Sequence, residues 1–422
     1  MKYKKTTLKN GLRILTVPMK NTQTVTVVIM VGVGSRYETE KEAGLSHFIE
    51  HMFFKGTKKR PNTLAISEEL DSIGGEFNAF TWKDKTGYYA KVDAKHIGTA
   101  LDVVSDMFLN SKIEAGEIER EKGTIIQELN MCQDDPRRTA GDVFEGLLYA
   151  NNPLGREIIG YKKTIQSFKR KDFMDYMRHF YVANDTVICV AGKINEKNIL
   201  QQVQKCFSRM KKGKKPSVKE VSENQKHPAL KIKTKKTDQT HFILGNRAYH
   251  QDHKDRFVLG LLGIILGGNM SSRLFIEVRE RRGLAYSVHT SADSFRECGY
   301  IATQAGVDHE KLKETIKIIL EEYKKIATEK ISAKELQKAK DYIKGKSVMG
   351  LEASDEVAIF HIDQELTRKK IMSVEEIFAE IDKVAVSDIL RVAKDIFKEK
   401  TLNLAVIGPH KDGKKLEKIL KL

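Results

Sequence analysis

The sequence predicts an α+β protein made of two tandem homologous α/β domains, each an antiparallel-rich mixed sheet packed with helices on one side. Three observations predict this fold. Short β-branched and aromatic segments alternate with longer segments of helical periodicity along the 422 residues. The segment that begins at Gly87 recurs 212 residues later at Gly299, and the segment at Thr186 recurs 215 residues later at Thr401. A repeat on this scale indicates two copies of one folding unit.

A change in composition marks the junction between the two copies. Residues 208–227 are rich in Lys, Ser and Glu and poor in apolar side chains, which is typical of a linker or a long surface loop. We therefore predict an N-terminal domain at residues 1–210, a linker at 211–227 and a C-terminal domain at 228–422. Because 40% of the residues are hydrophobic, each domain has enough apolar material for its own core.

The first domain opens with a predicted hairpin. Asn10-Gly11 supplies the positive φ angles of a tight turn between strands at 3–8 and 12–17. A β-branched strand at 24–31 follows, and a glycine-containing break at 32–35 then leads into a short helix that carries two histidines. The remaining predictions for this domain, in chain order, are a helix from about 62 to 73, strands at 76–81 and 87–92, a helix from 97, an acidic helix at 114–132, further helices to about 180, a strand at 185–192 and a helix through 207.

The second domain repeats the later part of this order. A strand at 299–303 precedes a helix with apolar residues on one face, and a final strand lies at 401–408. The counterpart of the histidine-bearing helix is the segment 257–265, which contains neither histidine nor carboxylate. Only the first domain is therefore expected to bind a metal ion through this helix.

Composition argues against several classes of protein. The excess of 74 Lys+Arg over 57 Asp+Glu gives a charge of +17, but the charges are interspersed, which favours a solvated lysine-rich surface over nucleic-acid binding. The longest apolar run, 257–267, is shorter than the roughly 18 residues that span a bilayer, and the first residues lead into a strand instead of a signal sequence. We predict a soluble cytoplasmic protein without a membrane or nucleic-acid partner. Four scattered cysteines, Cys132, Cys189, Cys206 and Cys298, are predicted to be reduced thiols.

The strongest chemical signal is the motif formed by His47, Glu50 and His51. Two histidines four residues apart lie one above the other on a helix and can share one metal ion. A neighbouring carboxylate that is not a ligand can take a proton from water at that ion. The spacing His-x-x-Glu-His inverts the better known zinc signature and is typical of a class of zinc peptidases, the inverzincins.

A catalytic zinc ion usually takes a third protein ligand. The acidic helix at 114–132 offers several candidates, and the sequence alone does not choose among Glu114, Glu117, Glu119, Glu121 and Glu128.

The His47–His51 motif, the helix end at 124–129 and the duplicated α/β layout resemble the M16 metallopeptidases, the family of pitrilysin, insulin-degrading enzyme and the mitochondrial processing peptidase. The resemblance covers nearly the whole chain and fits the short, two-domain bacterial-type members, with a fold of the LuxS/MPP-like metallohydrolase type. It implies Glu128 as the third ligand of one Zn²⁺ per chain. It also implies that Glu121, two helical turns earlier, supports the site by hydrogen-bonding a ligand.

The resemblance implies further site residues. Arg279 and Tyr286 match a pair that faces the metal across the substrate chamber, where both are donors suited to a substrate carbonyl or an oxyanion, and Arg282 competes with Arg279 for this role. Substrate is expected to add as a strand along the edge at 77–81. Asn78 and Ala79 match substrate-contacting positions, and Phe54 matches a nearby pocket residue.

The predicted function is that of a zinc metalloendopeptidase acting on peptides or unfolded segments, with Glu50 as general base. The alternative is a non-catalytic subunit that keeps this fold as a structural or substrate-holding partner. Because the long family members carry four α/β units and this chain has two, the resemblance implies a homodimer, or a heterodimer with a related subunit. In such a dimer Arg279 and Tyr286 would act on the metal site of the partner subunit.

Overall fold

The structure, a computed structural model, describes residues 2–214 and 217–422, so Lys215 and Pro216 of the predicted linker lie outside the described residues. The chain forms two compact units. Unit 1 contains Met1–Asn130, Arg156–Lys219 and Val348–Ser373, and unit 2 contains Met131–Gly155, Glu220–Ser347 and Val374–Leu422. Each unit thus includes one segment from the other half of the sequence, and the boundaries at 210 and 228 remain a prediction about the sequence repeat.

The regular elements account for most of both units. The strands are β1 (Lys4–Thr7), β2 (Arg13–Pro18), β3 (Thr24–Val31), β4 (Glu76–Thr81), β5 (Thr86–Asp93), β6 (Thr186–Gly192), β7 (Ala229–Thr234), β8 (Thr240–Ala248), β9 (Ala285–Ser294), β10 (Gly299–Val307) and β11 (Leu402–Gly408). The helices are α1 (Leu45–Met52), α2 (Thr63–Asp71), α3 (Ile97–Asn110), α4 (Ala115–Asp134), α5 (Pro136–Leu148), α6 (Lys162–Ser167), α7 (Arg170–Phe180), α8 (Glu196–Phe207), α9 (Arg256–Gly267), α10 (Leu312–Thr328), α11 (Ala333–Gly350), α12 (Ser354–Thr367), α13 (Val374–Lys383), α14 (Val386–Ile396) and α15 (Lys414–Glu417).

The sheet of unit 1 has six strands in the order β1-β2-β6-β3-β5-β4. The β2 and β6 strands run parallel, and the other neighbours are antiparallel. The predicted hairpin is present, with Lys4 opposite Thr16 and Gly11 in the turn at a φ of 87°. Strand β4 forms one edge of this sheet, so among the described strands only β5 pairs with its backbone.

Helices cover both faces of the unit 1 sheet. Helix α3 packs against β3 and β5, and α12 packs against β3 and β6. Because side chains alternate along a strand, Val28 and Met30 point to the face where Val357 and Ile362 of α12 lie. The sequence predicted helices on one side, and the additional helix α12 comes from the second half of the chain.

Unit 2 repeats this plan. Its sheet has five strands in the order β7-β11-β8-β10-β9, with β7 and β11 parallel. Its main core includes α9, α10 and α14. Helix α5, from the first half of the chain, packs against β8 and β11 and places Phe144 with Ile243 and Ala405 in a separate cluster.

Two further sequence predictions concern the helices. The segment 257–265, expected to be the metal-free counterpart of the histidine helix, lies in α9, where Leu261 and Leu262 are completely buried. Across 2–214 and 217–422, none of the helices is both long enough and apolar enough to cross a bilayer.

Candidate metal centre

Helix α1 places apolar and polar side chains on opposite sides. Leu45, Phe48, Ile49 and Met52 are buried at the i, i+3, i+4 and i+7 spacing of one helix face, which packs into the core. The face left to the surface carries His47, Glu50 and His51, which are only partly buried. The imidazole rings of His47 and His51 lie one turn apart, with centroids separated by 4.7 Å.

The start of α1 is held by a buried carboxylate. Glu38 is 3% exposed, and its Oε2 and Oε1 atoms accept hydrogen bonds from the backbone N–H groups of Gly44 at 2.8 Å and Ser46 at 2.7 Å. Burial raises the pKa of Glu38 to about 7, against the lowering effect of these hydrogen bonds. The Ser46 hydroxyl forms a further hydrogen bond of 2.8 Å with the Tyr176 hydroxyl. These contacts fix the helix that carries the histidines.

Helix α4 brings a third donor to the histidines. Glu128 Oε1 lies 3.6 Å from His47 Nε2, and Glu128 Oε2 lies 3.4 Å from His51 Nε2. Hydrogen bonding to His47, and then to His51, holds the pKa of the Glu128 carboxyl well below its usual range. The structure therefore brings together His47, His51 and Glu128, the three residues that the resemblance implied as ligands.

Glu121 lies two turns before Glu128 on α4 and contacts the other side of His51. Its Oε1 is 2.9 Å from His51 Nδ1, and its Oε2 is 2.5 Å from Lys55 Nζ. Burial alone would lower the pKa of His51, but the hydrogen bonds to Glu121 and Glu128 outweigh it and raise that pKa to about 9. Burial would likewise raise the pKa of Glu121, but hydrogen bonds to His51 and Lys55 lower it.

The donor set fits a zinc ion. One ligand atom from each of His47, His51 and Glu128 can be chosen so that all three lie within 4.8 Å of one another. Two ligand atoms bound tetrahedrally at zinc–nitrogen and zinc–oxygen distances of about 2.1 Å lie about 3.4 Å apart. The separations at Glu128 are close to this value. Within the described ranges, no other group of three His, Cys, Asp or Glu residues meets the same distance criterion.

Glu50, the predicted general base, contacts the end of the edge strand. Its Oε2 accepts a hydrogen bond of 2.5 Å from the hydroxyl of Thr81, the last residue of β4. Along the same strand, the Asn78 side chain accepts a hydrogen bond of 2.9 Å from the backbone N–H of Ala79. The rings of Phe54 and Phe77 lie nearby, with centroids 6.4 Å apart.

Arg279 and Tyr286 lie in unit 2, where a π-helical turn, Phe275–Glu280, precedes β9. Arg279 Nη1 donates to the Tyr286 carbonyl at 2.9 Å, and its guanidinium lies 4.8 Å from the centre of the Tyr286 ring. Tyr286 is 79% exposed. Arg282 instead donates to both the carbonyl and the carboxylate of Glu277. Arg279 is therefore the arginine that accompanies Tyr286.

Sequence reasoning missed three residues around the centre. Lys55 lies four residues after His51 and just beyond the end of α1, and this short separation in the sequence would have suggested it. Glu38 caps a helix that begins seven residues later, and Thr81 contacts a helix that precedes it by more than twenty residues. No local sequence pattern indicates the roles of Glu38 and Thr81, because both roles depend on how the loop before α1 and the end of β4 pack against α1.

Comparisons with known proteins concern the family and the fold of the chain. The profile of Insulinase (Peptidase family M16) matches residues 13–162, and that of the Peptidase M16 inactive domain matches residues 167–343. An uncharacterized zinc protease of Streptomyces coelicolor is 34% identical over 97% of this chain and 90% of its own length. The uncharacterized zinc protease YmxG of Bacillus subtilis is also 34% identical, over 96% of this chain and 98% of its own. A protease from Helicobacter pylori has a similar fold, with a TM-score of 0.89 and 24% identity over 97% of this chain and 99% of its own.

Proposed function

The chain belongs to peptidase family M16, the insulinase family, and from this premise we propose that it is a zinc-dependent endopeptidase that cleaves peptides or unfolded segments. One observation carries the proposal, namely the convergence of His47 and His51 of α1 with Glu128 of α4, beside Glu50 on the partly buried face of α1. Such a set of two imidazoles and one carboxylate is the donor set of catalytic zinc sites that leave a position open to water.

The residues of the centre divide into holding and supporting groups. His47, His51 and Glu128 would hold one zinc ion per chain, which when bound lowers the pKa of water and polarises a carbonyl group. Glu121 accepts the Nδ1 proton of His51, which fixes the ring tautomer and presents Nε2 as a ligand. Lys55 in turn pairs with Glu121 and balances its charge.

Glu50 acts as the proton carrier. Its carboxylate takes the proton of the attacking water as the bond to the peptide carbonyl forms, and then delivers that proton to the leaving amine. Arg279 and Tyr286 donate hydrogen bonds to the substrate carbonyl or to the negative charge that develops on its oxygen.

Substrate binding is proposed to extend the unit 1 sheet at β4. Main-chain pairing at a free strand edge binds peptides with little demand on their side chains, which suits a peptidase of broad specificity. The Ala79 N–H is held by the side chain of Asn78, and a substrate carbonyl would replace that acceptor. Phe54 and Phe77 offer an apolar surface for a substrate side chain.

We further propose a homodimer in which Arg279 and Tyr286 serve the metal centre of the partner subunit. The chain has two α/β units, and the high exposure of Tyr286 leaves its ring available to another chain. A non-catalytic role is less consistent with a complete set of candidate ligands and a base held beside them, since a subunit that only supports a partner has no need of Glu50.

The decisive experiment compares the wild-type protein with Glu50→Gln. We expect one zinc ion per chain in both proteins, cleavage of a diverse peptide mixture by the wild type, and a loss of at least about 100-fold in the variant. Zinc content measured by mass spectrometry separates loss of the base from loss of the metal. Glu119→Gln, which changes an exposed glutamate of α4, is the matched control and is expected to retain full activity. A zinc-loaded wild type that cleaves nothing in the mixture would refute the proposal.

A further inference from the structure

The hydroxyl of Thr81 donates a hydrogen bond to the carboxylate of Glu50. We propose that Thr81 is a positioning residue, whose hydroxyl fixes one oxygen of the Glu50 carboxylate so that the other oxygen is held ready to accept the proton of the attacking water. This inference rests on the proposed peptidase function and adds a residue to its machinery.

The chemistry of the two groups fixes the direction of this hydrogen bond. A threonine hydroxyl carries one hydrogen, whereas an ionised carboxylate only accepts. Thr81 therefore donates to Glu50 Oε2, at an Oγ1–Oε2 distance of 2.5 Å. A glutamate side chain has three rotatable bonds and would otherwise sample several rotamers. Occupying one oxygen restricts the carboxylate to orientations in which Oε1 is free to take a proton.

Thr81 is itself held by contacts that do not involve Glu50. It pairs with Thr86 at the end of β4, and the turn that follows is closed by a hydrogen bond of 2.8 Å from the Trp82 N–H to the Lys85 carbonyl. The Trp82 carbonyl accepts a hydrogen bond of 3.1 Å from the Ser35 N–H. The donor of the hydrogen bond to Glu50 is thus fixed by the sheet and by the segment that precedes α1.

The same segment determines where Glu50 lies. Arg36, 2% exposed, forms an ion pair of 3.1 Å with Asp84 in the turn after β4, and its N–H donates to the Lys83 carbonyl at 3.0 Å. Two residues later, Glu38 caps the start of α1. Residues 35–38 therefore tie the end of the edge strand to the start of the helix and set the separation between Thr81 and Glu50.

This arrangement links substrate binding to the orientation of the base. The strand that ends at Thr81 is the one along which the substrate is proposed to pair, so substrate binding and the carboxylate contact share one element. A substrate strand that pairs with β4 would lie along the same backbone that carries the hydroxyl. We therefore expect loss of the hydroxyl to reduce kcat more than it changes KM.

The test compares three variants at full zinc loading. Thr81→Val removes the hydroxyl and keeps the shape of the side chain, and we expect kcat to fall roughly 10- to 100-fold with zinc content unchanged and KM altered by less than about threefold. Thr81→Ser retains the hydroxyl and is expected to stay within about threefold of the wild type in kcat. The matched control is Thr16→Val, because Thr16 donates to the Glu196 carboxylate at 3.2 Å in the same sheet and away from the centre. It should leave both constants unchanged.

A second readout does not depend on activity. Crystal structures of the zinc-free wild type and Thr81→Val are expected to show a single Glu50 carboxylate position in the first and a rotated or split one in the second. If Thr81→Val does not fold, Thr81→Ala removes the same hydroxyl. The inference is overturned if the valine variant keeps wild-type kcat, if serine restores nothing, or if Glu50 stays in place without the hydroxyl. Failure of the peptidase proposal would give a different result, because the wild type and Glu50→Gln would then be equally inactive. The crystal structures would still show whether the Thr81 hydroxyl fixes the Glu50 carboxylate.

Discussion

His51 has a carboxylate at each ring nitrogen, Glu128 at Nε2 and Glu121 at Nδ1. We predict that Glu121→Gln weakens zinc binding about 10-fold or more, because an amide still accepts the Nδ1 proton but no longer supplies the negative charge that strengthens the ring as a ligand. Titration against a competing chromophoric chelator measures the change. Glu119→Gln, on the exposed side of α4, should bind zinc like the wild type. Equal zinc affinities of the wild type, Glu121→Gln and Glu119→Gln would show that Glu121 does not support zinc binding.

Glu38 makes a second residue-level prediction, which concerns pH. The pKa of the Glu38 carboxyl is about 7 in the folded state, whereas the ordinary value of 4.5 applies to the unfolded chain. Between these values the folded state binds more protons, so the contribution of Glu38 to the free energy of unfolding decreases as pH rises, by at most about 3 kcal/mol. Urea titrations of zinc-free wild type and Glu38→Gln between pH 4.5 and 7 should show the wild type losing stability relative to the variant. If the free energies of unfolding of the two proteins change in parallel with pH, the prediction is wrong.

The residues of the centre differ in how far the sequence reveals them. The pairing of His47 with His51 is local and follows from helical spacing alone. Glu128 could not be selected from five glutamates by spacing, because the angle at which α4 crosses α1 is a tertiary property, and the resemblance to a family supplied it. Glu38 and Thr81 have no sequence signal, since their partners are set by the packing of a loop and a sheet edge against α1.

At the scale of elements, helix α12 was not predicted from the sequence, and its contribution to the stability of unit 1 can be tested. Ile362, which is completely buried, packs with strand residues of the unit 1 sheet although it lies in the second half of the chain. We predict that Ile362→Ala lowers the free energy of unfolding of unit 1 by about 2–5 kcal/mol. The single tryptophan, Trp82, belongs to unit 1, so its fluorescence in a urea titration reports on this unit.

The control for that experiment is Glu356→Ala, on the exposed face of the same helix, which should change stability by less than about 0.5 kcal/mol. Because alanine is the best helix former, a loss of stability in Ile362→Ala alone would be due to lost packing, and a loss in neither variant would show that α12 contributes little to unit 1.

Strands were predicted more closely than helix partners, for a physical reason. The bounds of β3, Thr24–Val31, and of β4, Glu76–Thr81, agree with the predictions at 24–31 and 76–81. A strand is marked by β-branched and alternating side chains together with the turns that flank it, all of which are local. The sequence pattern of an amphipathic helix shows that the helix has an apolar face. It does not show which sheet that face covers. For this reason α5 lies in the region predicted to be helical although its packing against the unit 2 sheet was not predicted, whereas no prediction was made for α12.

At the scale of the whole molecule, the proposed homodimer predicts complementation between two inactive variants. Glu50→Gln has an intact Arg279, and Arg279→Ala has an intact Glu50. If each active centre combines the metal-binding half of one chain with Arg279 and Tyr286 of the other, a mixed dimer contains one centre with both residues intact. Random mixing makes half of the dimers mixed, so we predict recovery of about a quarter of wild-type activity.

The control for complementation pairs Glu50→Gln with His47→Ala, which damages the metal-binding half in both chains and should recover nothing. Differently tagged subunits, purified over two affinity steps, establish that mixed dimers are present. If they form and are no more active than the separate variants, Arg279 acts within its own chain. A protein that stays monomeric at all concentrations, yet cleaves peptides, would exclude sharing between chains altogether, since a centre that needs a second subunit must lose activity on dilution.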